Sequence, residues 1–123
     1  MAVDARPENP TEPLQSGQLI VRPQDGTVLA AGHVLVLSVR EFSLLVALIR
    51  REGIVVARED LFRTVWGGEL RPRDRSVDVY VHKLRVKLEQ ALPGWTYIHT
   101  HTGFGYRLQP ELSRPDHKSD TGR

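Results

Sequence analysis

The hydrophobic residues of this chain change their spacing near residue 38. Before that point, short runs rich in valine, leucine and isoleucine are separated by Asp25-Gly26 and Ala31-Gly32, two pairs typical of tight turns. Such runs favour β-strands, and such short connections favour antiparallel pairing. The pattern predicts three strands, near residues 18–22, 27–30 and 33–37.

From residue 38 onward the apolar positions recur at helical spacing. Ser38 and Glu41 have the spacing of a capping box and begin the first predicted helix, and Gly53 marks its end. A second helix is predicted over about residues 58–66. Its first position follows Ala57, a residue type that caps a helix poorly.

A third helix is predicted from Asp74 or Arg75 to about Ala91, because Pro93-Gly94 then stops it. Two β-prone segments around a glycine-containing turn follow and predict a hairpin at about residues 97–108. The order is a small antiparallel sheet, three helices and a hairpin. This order predicts an α+β fold, a winged helix-turn-helix whose C-terminal hairpin is the wing.

Both ends of the chain are polar and interrupted by proline. Such segments bury too little apolar surface to offset the entropy of ordering. We therefore predict a disordered arm or linker at residues 1–16, a folded domain at 17–109 and a disordered tail at 110–123.

The composition, 40% hydrophobic and 26% charged over 123 residues, suits one ordinary globular domain. The chain has no cysteine, which excludes disulfides and thiolate chemistry. Its longest aliphatic run, residues 34–37, is too short to cross a membrane, and no signal-peptide pattern is present. We expect no membrane association and a location in the reducing cytoplasm.

Positive charge is concentrated in one segment. Residues 71–87 hold six lysines or arginines and two aspartates, a local charge of +4 in a chain whose net charge is +2. Clustered positive charge is typical of a surface that binds an anion. A helix face in contact with water is the alternative, and charge alone does not separate the two.

The third predicted helix has two different faces. Its buried stripe is expected to be Val77, Val81, Leu84 and Leu88. The other side carries Ser76, Val79, Tyr80, Lys83, Val86 and Lys87. Exposed valines suit the major groove, where they contact thymine methyls, and lysine reaches guanine. The flanking basic residues are expected to contact phosphates of the DNA backbone; they are Arg73, Arg75, His82 and Arg85. We therefore predict double-stranded DNA as the partner, read by a helix at about residues 74–91.

Several separate blocks resemble one family. In chain order they are EFSLL, REDL before VWG, RSVDVYV before LRVKL, and GFGYRL. Together they resemble the effector domain of OmpR/PhoB-type response regulators of two-component systems, over about residues 18–108. The resemblance implies a four-stranded N-terminal sheet and transcription-factor activity without a cofactor. It also implies head-to-tail pairs on direct repeats, and a loop at 67–73 that contacts RNA polymerase.

The resemblance also assigns roles to single residues. It implies that Val79 and Lys83 face bases, while Asp78 either accepts from cytosine N4 or favours the helix dipole. His82, Lys83 and the wing residue Thr102 stand where the family often has arginines, so we expect lower affinity, altered sequence preference, or both. The complete set of predicted DNA contacts is Arg73, Arg75, Ser76, Asp78, Val79, Tyr80, His82, Lys83, Arg85, Lys87, Thr100, His101 and Thr102.

Other functions have weaker support in the sequence. His99 and His101 share a strand face, but only the distant His33 is available as a third ligand, so no metal site is predicted. No nucleophile stands in a pattern with a base, so we do not expect an enzyme. The main alternative is a winged helix that binds a protein through an apolar patch of Val79, Tyr80 and Val86.

The resemblance raises the question of a receiver domain. About 17 residues precede the first predicted strand, too few for such a domain. We expect either a piece of a longer regulator or a stand-alone factor. The proline-bearing arm is typical of an interdomain linker and favours the first.

Overall fold

The computed structural model describes residues 12–113, and the N-terminal part of this range forms an antiparallel sheet. Its strands are β1 (Leu14–Ser16), β2 (Leu19–Arg22), β3 (Thr27–Ala30) and β4 (His33–Val34), adjacent in chain order. Ala31 and Gly32 have φ angles of 52° and 83°, the backbone that a two-residue hairpin turn requires. The four-stranded sheet implied by the resemblance is confirmed.

The residue pattern missed one strand, and it placed the end of another too late. β1 lies inside the predicted arm, because Gly17, at φ 57°, turns the chain so that Leu14 pairs with Val21. The strand predicted over 33–37 ends at Val34. After it the chain leaves the sheet for the cap of the first helix.

The helices are α1 (Val39–Ile49), α2 (Arg58–Val65) and α3 (Ser76–Ala91). The capping box is confirmed: Ser38 Oγ accepts from Glu41 N at 3.2 Å, and the Glu41 carboxylate accepts from Ser38 N at 2.9 Å. α3 begins one or two residues later than predicted. The N-cap residue is Arg75, whose side chain makes no capping bond, so the predicted cap at Asp74 was wrong by one position. The Asp74 carboxylate accepts from the Ser76 amide at 2.8 Å and closes the turn that leads into the helix.

The wing consists of β5 (Trp95–His101) and β6 (Gly105–Leu112). β6 continues past the predicted boundary at residue 109, although it contains Pro110. The pairing shifts register between Thr96 and Ile98, where Tyr97 of β5 faces both Gln109 and Pro110, so β6 carries a bulge at its own proline. A bulge tolerates proline because one residue there needs no ladder hydrogen bond. The outer parts of the predicted arm and tail, residues 1–11 and 114–123, lie outside the described residues.

The core lies between the helices, the sheet and the wing. The predicted stripe of α3 is confirmed, since Val77, Val81, Leu84 and Leu88 are all buried. They join Leu44, Leu45 and Leu48 of α1 in one apolar cluster. Tyr97 of β5 connects the wing to the sheet by accepting from Gln18 N at 2.8 Å. In the part of the chain that the structure describes, no helix is both long and apolar enough to cross a membrane.

Candidate nucleic-acid interface

The outer face of α3 combines aliphatic and basic side chains. Val79 is 46% exposed and Val86 36%, and His82 and Lys83 are exposed between them. The buried stripe directs these positions away from the core, because a helix with one apolar stripe presents its other residues outward. The result is a surface that offers both methyl groups and a cation.

Aromatic rings support Lys83. Its ammonium lies over the Tyr80 ring, 4.7 Å from the centroid. Tyr80 in turn meets Trp66 edge-on at 5.5 Å, and Trp66 stacks on Phe62 at 5.3 Å. A cation over an aromatic face is attracted by the negative ring face. Tyr80 therefore restricts the positions that Lys83 adopts at the surface.

Asp78 is the point where α3 meets both α2 and the wing. Arg58 donates to it from two nitrogens, Nε at 3.1 Å and a terminal nitrogen at 2.9 Å, a fork-to-carboxylate pair. Tyr106 of β6 donates its hydroxyl to the same carboxylate at 2.5 Å. Arg75 lies 3.5 Å away, one turn back on the same chain segment. One carboxylate thus joins three elements.

This network changes the protonation of its members. Burial opposes the charge on Asp78, but hydrogen bonds from Arg58 and Tyr106 outweigh it and hold the pKa of Asp78 below its ordinary value. Burial, reinforced by the hydrogen bond to Asp78, raises the pKa of Tyr106 to about 12. At neutral pH the pair is therefore a carboxylate that accepts from a neutral phenol.

A second set of contacts holds the wing. Arg85 of α3 donates to Thr100 Oγ1 at 2.9 Å, although its Nε is buried without a partner. Within the hairpin, Arg107 Nε donates to His101 Nε2 at 3.0 Å, and His99 Nε2 bonds the Gln109 carbonyl at 2.8 Å. Both wing histidines thus use a ring nitrogen inside the hairpin. Among residues 12–113 no group of three His, Cys, Asp or Glu is arranged to hold a metal ion.

A cleft of about 860 Å³ separates α3 and the start of α2 from the tip of the wing. Predicted contact residues line both walls: Arg75, Asp78, Val79, His82, Lys83, Thr100, His101 and Thr102. The structure therefore brings together eight of the thirteen predicted positions. It joins residues of α3 to wing residues roughly twenty positions further along the chain.

Five predicted positions lie outside the lining of this cleft. Arg73 is exposed in the loop before α3. Ser76 donates its hydroxyl to Asp74 at 2.6 Å, and Tyr80 lies in the aromatic row. Arg85 reaches Thr100, and Lys87 forms a 2.7 Å ion pair with Glu41. Burial opposes the charge on Glu41, but the hydrogen bond from Lys87 and the cap at Ser38 hold the pKa of Glu41 below its ordinary value.

Six residues of the cleft lining were not among the predicted contacts: Arg58, Glu59, Gly103, Phe104, Gly105 and Tyr106. The position of Arg58 could have indicated an ion pair, because a cation at the first position of a helix is unfavourable next to the positive end of the helix dipole. Such a residue favours an acidic partner from another element. Nothing in the spacing identified that partner as Asp78, and the GFGY motif left the role of Tyr106 open.

A helix with a basic and aliphatic outer face beside a β-hairpin wing is the arrangement of one class of protein domain. That class is the winged helix-turn-helix DNA-binding domain of transcriptional regulators. More specifically, residues 32–108 match the family described as "Transcriptional regulatory protein, C terminal", and the chain belongs to this family, the OmpR/PhoB-type effector domain.

Known transcriptional regulators resemble this chain in sequence and in fold. The chain is 40% identical over 108 residues to the transcriptional regulatory protein TcrA of Mycobacterium tuberculosis, covering 88% of this chain and 42% of TcrA. It thus spans less than half the length of that relative. The DNA-binding domain of CpxR from E. coli superposes with a TM-score of 0.73 at 33% identity, covering 80% of this chain and 96% of that one.

The Klebsiella pneumoniae RstA DNA-binding domain, solved in complex with the RstA box, has a TM-score of 0.72 at 29% identity. The match covers 80% of this chain and 97% of the RstA chain. The RstA domain was therefore captured on DNA in a fold that this chain shares.

Proposed function

We propose that this domain binds double-stranded DNA sequence-specifically, with α3 in the major groove and the wing against the adjoining backbone. The observation that carries the proposal is the shared cleft, which has α3 on one wall and the wing tip on the other. The major groove of B-DNA, about 12 Å wide, admits one α-helix. A helix seated there brings a neighbouring hairpin over the sugar-phosphate strand that borders the groove.

Val79 and Lys83 are the proposed base contacts. Both are exposed on the outer face of α3 and both line the cleft. Lysine donates to guanine O6 and N7, and valine contacts the thymine methyl. His82 lies beside them and supplies a supplementary contact.

The proposed backbone contacts surround this centre. The Arg75 side chain is 78% exposed at the start of α3, and Arg73 is exposed before it. The amide end of a helix also favours phosphate, so Ser76 lies in a suitable place. On the wing, Thr100, His101 and Thr102 are the proposed contacts.

The remaining residues of the predicted set act by positioning. Asp78 uses its carboxylate on Arg58 and Tyr106, so we assign it to holding the recognition helix against the wing instead of to reading cytosine. Tyr80 orients Lys83, Arg85 holds Thr100, and Lys87 is paired with Glu41. These assignments rest on the contacts given above.

We further propose that two copies bind head-to-tail on direct repeats, and that the loop at 67–73 contacts RNA polymerase. The exposure of Gly67, Gly68, Glu69 and Arg71 supports the loop proposal, and φ angles of 81° and 78° at the two glycines end α2 and begin the loop. The domain then acts in the cytoplasm as a non-catalytic effector without a cofactor.

Selection from a random duplex library tests the central proposal. The 123-residue chain is compared with Lys83→Ala and, as a control of equal charge, with Arg22→Ala on the N-terminal sheet. We expect an enriched motif, relaxed by Lys83→Ala at one base position by about 1–3 kcal/mol and unchanged by Arg22→Ala.

Absence of any motif, with weak binding that vanishes as salt is raised, would contradict the proposal, because only nonspecific attraction behaves in that way. The alternative is then a protein-interaction module. The exposed Val79 and Val86 are the observation that favours it. Replacing either valine would reduce capture of a protein partner while leaving residual DNA affinity unchanged.

A further inference from the structure

The tip of the wing ends in an exposed aromatic ring. Phe104 is 76% exposed to solvent. A single exposed apolar residue is ordinary on a protein surface. Whether Phe104 contributes to binding depends on how firmly the backbone of the tip is held and on what the ring faces.

The tip is held from both sides. The Phe104 amide donates to the His101 carbonyl at 2.8 Å and closes the turn. Beyond it, Tyr106 and Val56 exchange two backbone hydrogen bonds, at 2.8 and 3.0 Å. Gly105 permits this approach, since a Cβ there would lie 2.0 Å from the Val56 carbonyl oxygen. Because the backbone of the tip is already ordered, little backbone conformational entropy is lost when Phe104 meets a partner.

The ring belongs to the same cleft as the recognition helix. Phe104 lines it together with Val79 and Lys83. Phe104 lies between Gly103 and Gly105, so the contact that its own ring makes is apolar, whereas His101 and Thr102 remain available for the backbone. With α3 in the major groove, the surface within reach of the tip is the adjoining backbone and minor groove. Proteins that bind there insert apolar side chains between base steps, most easily at flexible steps such as TA.

We propose that Phe104 is a specificity-determining residue that packs its ring into the minor groove beside the half-site and prefers a deformable TA or CA step there. This inference rests on the proposed DNA binding. It assigns the preference to shape and deformability, because a phenyl ring has no hydrogen-bonding groups with which to read base edges.

The test compares duplexes that share one half-site and differ only in the adjoining segment, a TA step in one and a stiff A-tract in the other. Binding of the full chain is measured beside Phe104→Ala across a salt series. The control is Leu112→Ala, which removes another exposed apolar side chain, 68% exposed, at the far end of β6.

We expect Phe104→Ala to lose about tenfold in affinity on the TA duplex, the size typical of one aromatic contact to a base. The loss should be smaller on the A-tract, and the salt slope should stay unchanged because no charge is removed. Leu112→Ala should match the unmodified chain, and all variants should unfold at the same temperature.

Equal affinity of Phe104→Ala and the unmodified chain on both duplexes would overturn the inference and leave the proposed function standing. So would an equal loss on both, since the step preference would be absent. Failure of the unmodified chain to bind either duplex would overturn the proposed function, and the inference with it.

Discussion

Asp78 shows how one side chain serves several elements at once. It accepts from Arg58 of α2 and Tyr106 of the wing while belonging to the recognition helix. Charge-assisted hydrogen bonds are stronger than neutral ones, and the loss of one partner leaves the others poorly solvated. The orientation of α3 relative to the wing therefore depends on this carboxylate.

Asp78→Asn is expected to lower the free energy of unfolding by about 1–3 kcal/mol, because Arg58 loses its charged acceptor. Urea denaturation measures the change. Asp60→Asn is the matched control, since its carboxylate pairs with Arg63 at 2.8 Å where both side chains are about half exposed. That exposed pair is expected to contribute less than about 1 kcal/mol. Equal losses in the two variants would contradict the role given to Asp78.

Acid is expected to weaken the fold through the same residues. The pKa values of Asp78 and Glu41 are held below their ordinary values of 3.8 and 4.5. On acidification the unfolded chain therefore takes up protons first. The stabilisation is complete above about pH 5 and is lost as the pH falls through the folded pKa values. Urea denaturation at a series of pH values should show this decline, and Asp78→Asn should make it shallower. If Asp78→Asn lost as much stability on acidification as the unmodified chain, Asp78 would not contribute to the acid sensitivity.

At the scale of elements, the wing depends on two glycines with different roles. Gly103 has a φ of 83° and open space where a side chain would be. Gly105 has a φ of 148°, and a side chain there would overlap the Val56 carbonyl. The first glycine only permits a turn, whereas the second permits the wing to pair with the segment before α2.

Gly105→Ala is therefore expected to destabilise the protein more than Gly103→Ala. Gly103→Ala, the control, is destabilised only by the strain of a left-handed backbone, about 1–2 kcal/mol. Gly105→Ala also breaks the Val56–Tyr106 hydrogen bonds, each contributing about 1 kcal/mol. Thermal unfolding and amide exchange at Tyr106 measure the two effects. Equal destabilisation, with Tyr106 equally protected, would show that the close approach to Val56 has no energetic weight.

At the scale of the whole molecule, α3 and the wing tip form the walls of one cleft, while strands β2 and β3 of the N-terminal sheet contribute buried residues to the core. A domain with a single reading surface recognises a short half-site. Two copies that contact each other on DNA need half-sites on the same side of the duplex, about 10–10.5 base pairs apart.

The spacing of direct repeats tests the head-to-tail proposal. We expect two half-sites about one turn apart to bind two copies cooperatively, and half-sites shifted by about half a turn to bind them independently. Titration of duplexes with graded spacing, at constant salt, measures the cooperativity. Independent binding at every spacing would mean that the copies do not contact each other.

Much of the secondary structure could be predicted because its signals are local. The capping box of α1 joins residues three positions apart, and the buried stripe of α3 follows from helical spacing alone. Where the prediction failed, a distant partner decided the outcome. β1 forms because Leu14 pairs with Val21 across a glycine turn, and β6 continues through Pro110 because β6 bulges there against Tyr97 of β5.

The sequence by itself determined the three helices, the wing and a basic face on α3, since charge order and apolar spacing are readable from neighbouring residues. Only the tertiary structure decided which side chains meet. Asp78 pairs with residues 20 and 28 positions away, and Glu41 pairs with Lys87 at 46. Such contacts depend on how helices and strands pack in three dimensions. For that reason the same carboxylate appeared in sequence as a possible base contact and in the fold as a support for the recognition helix.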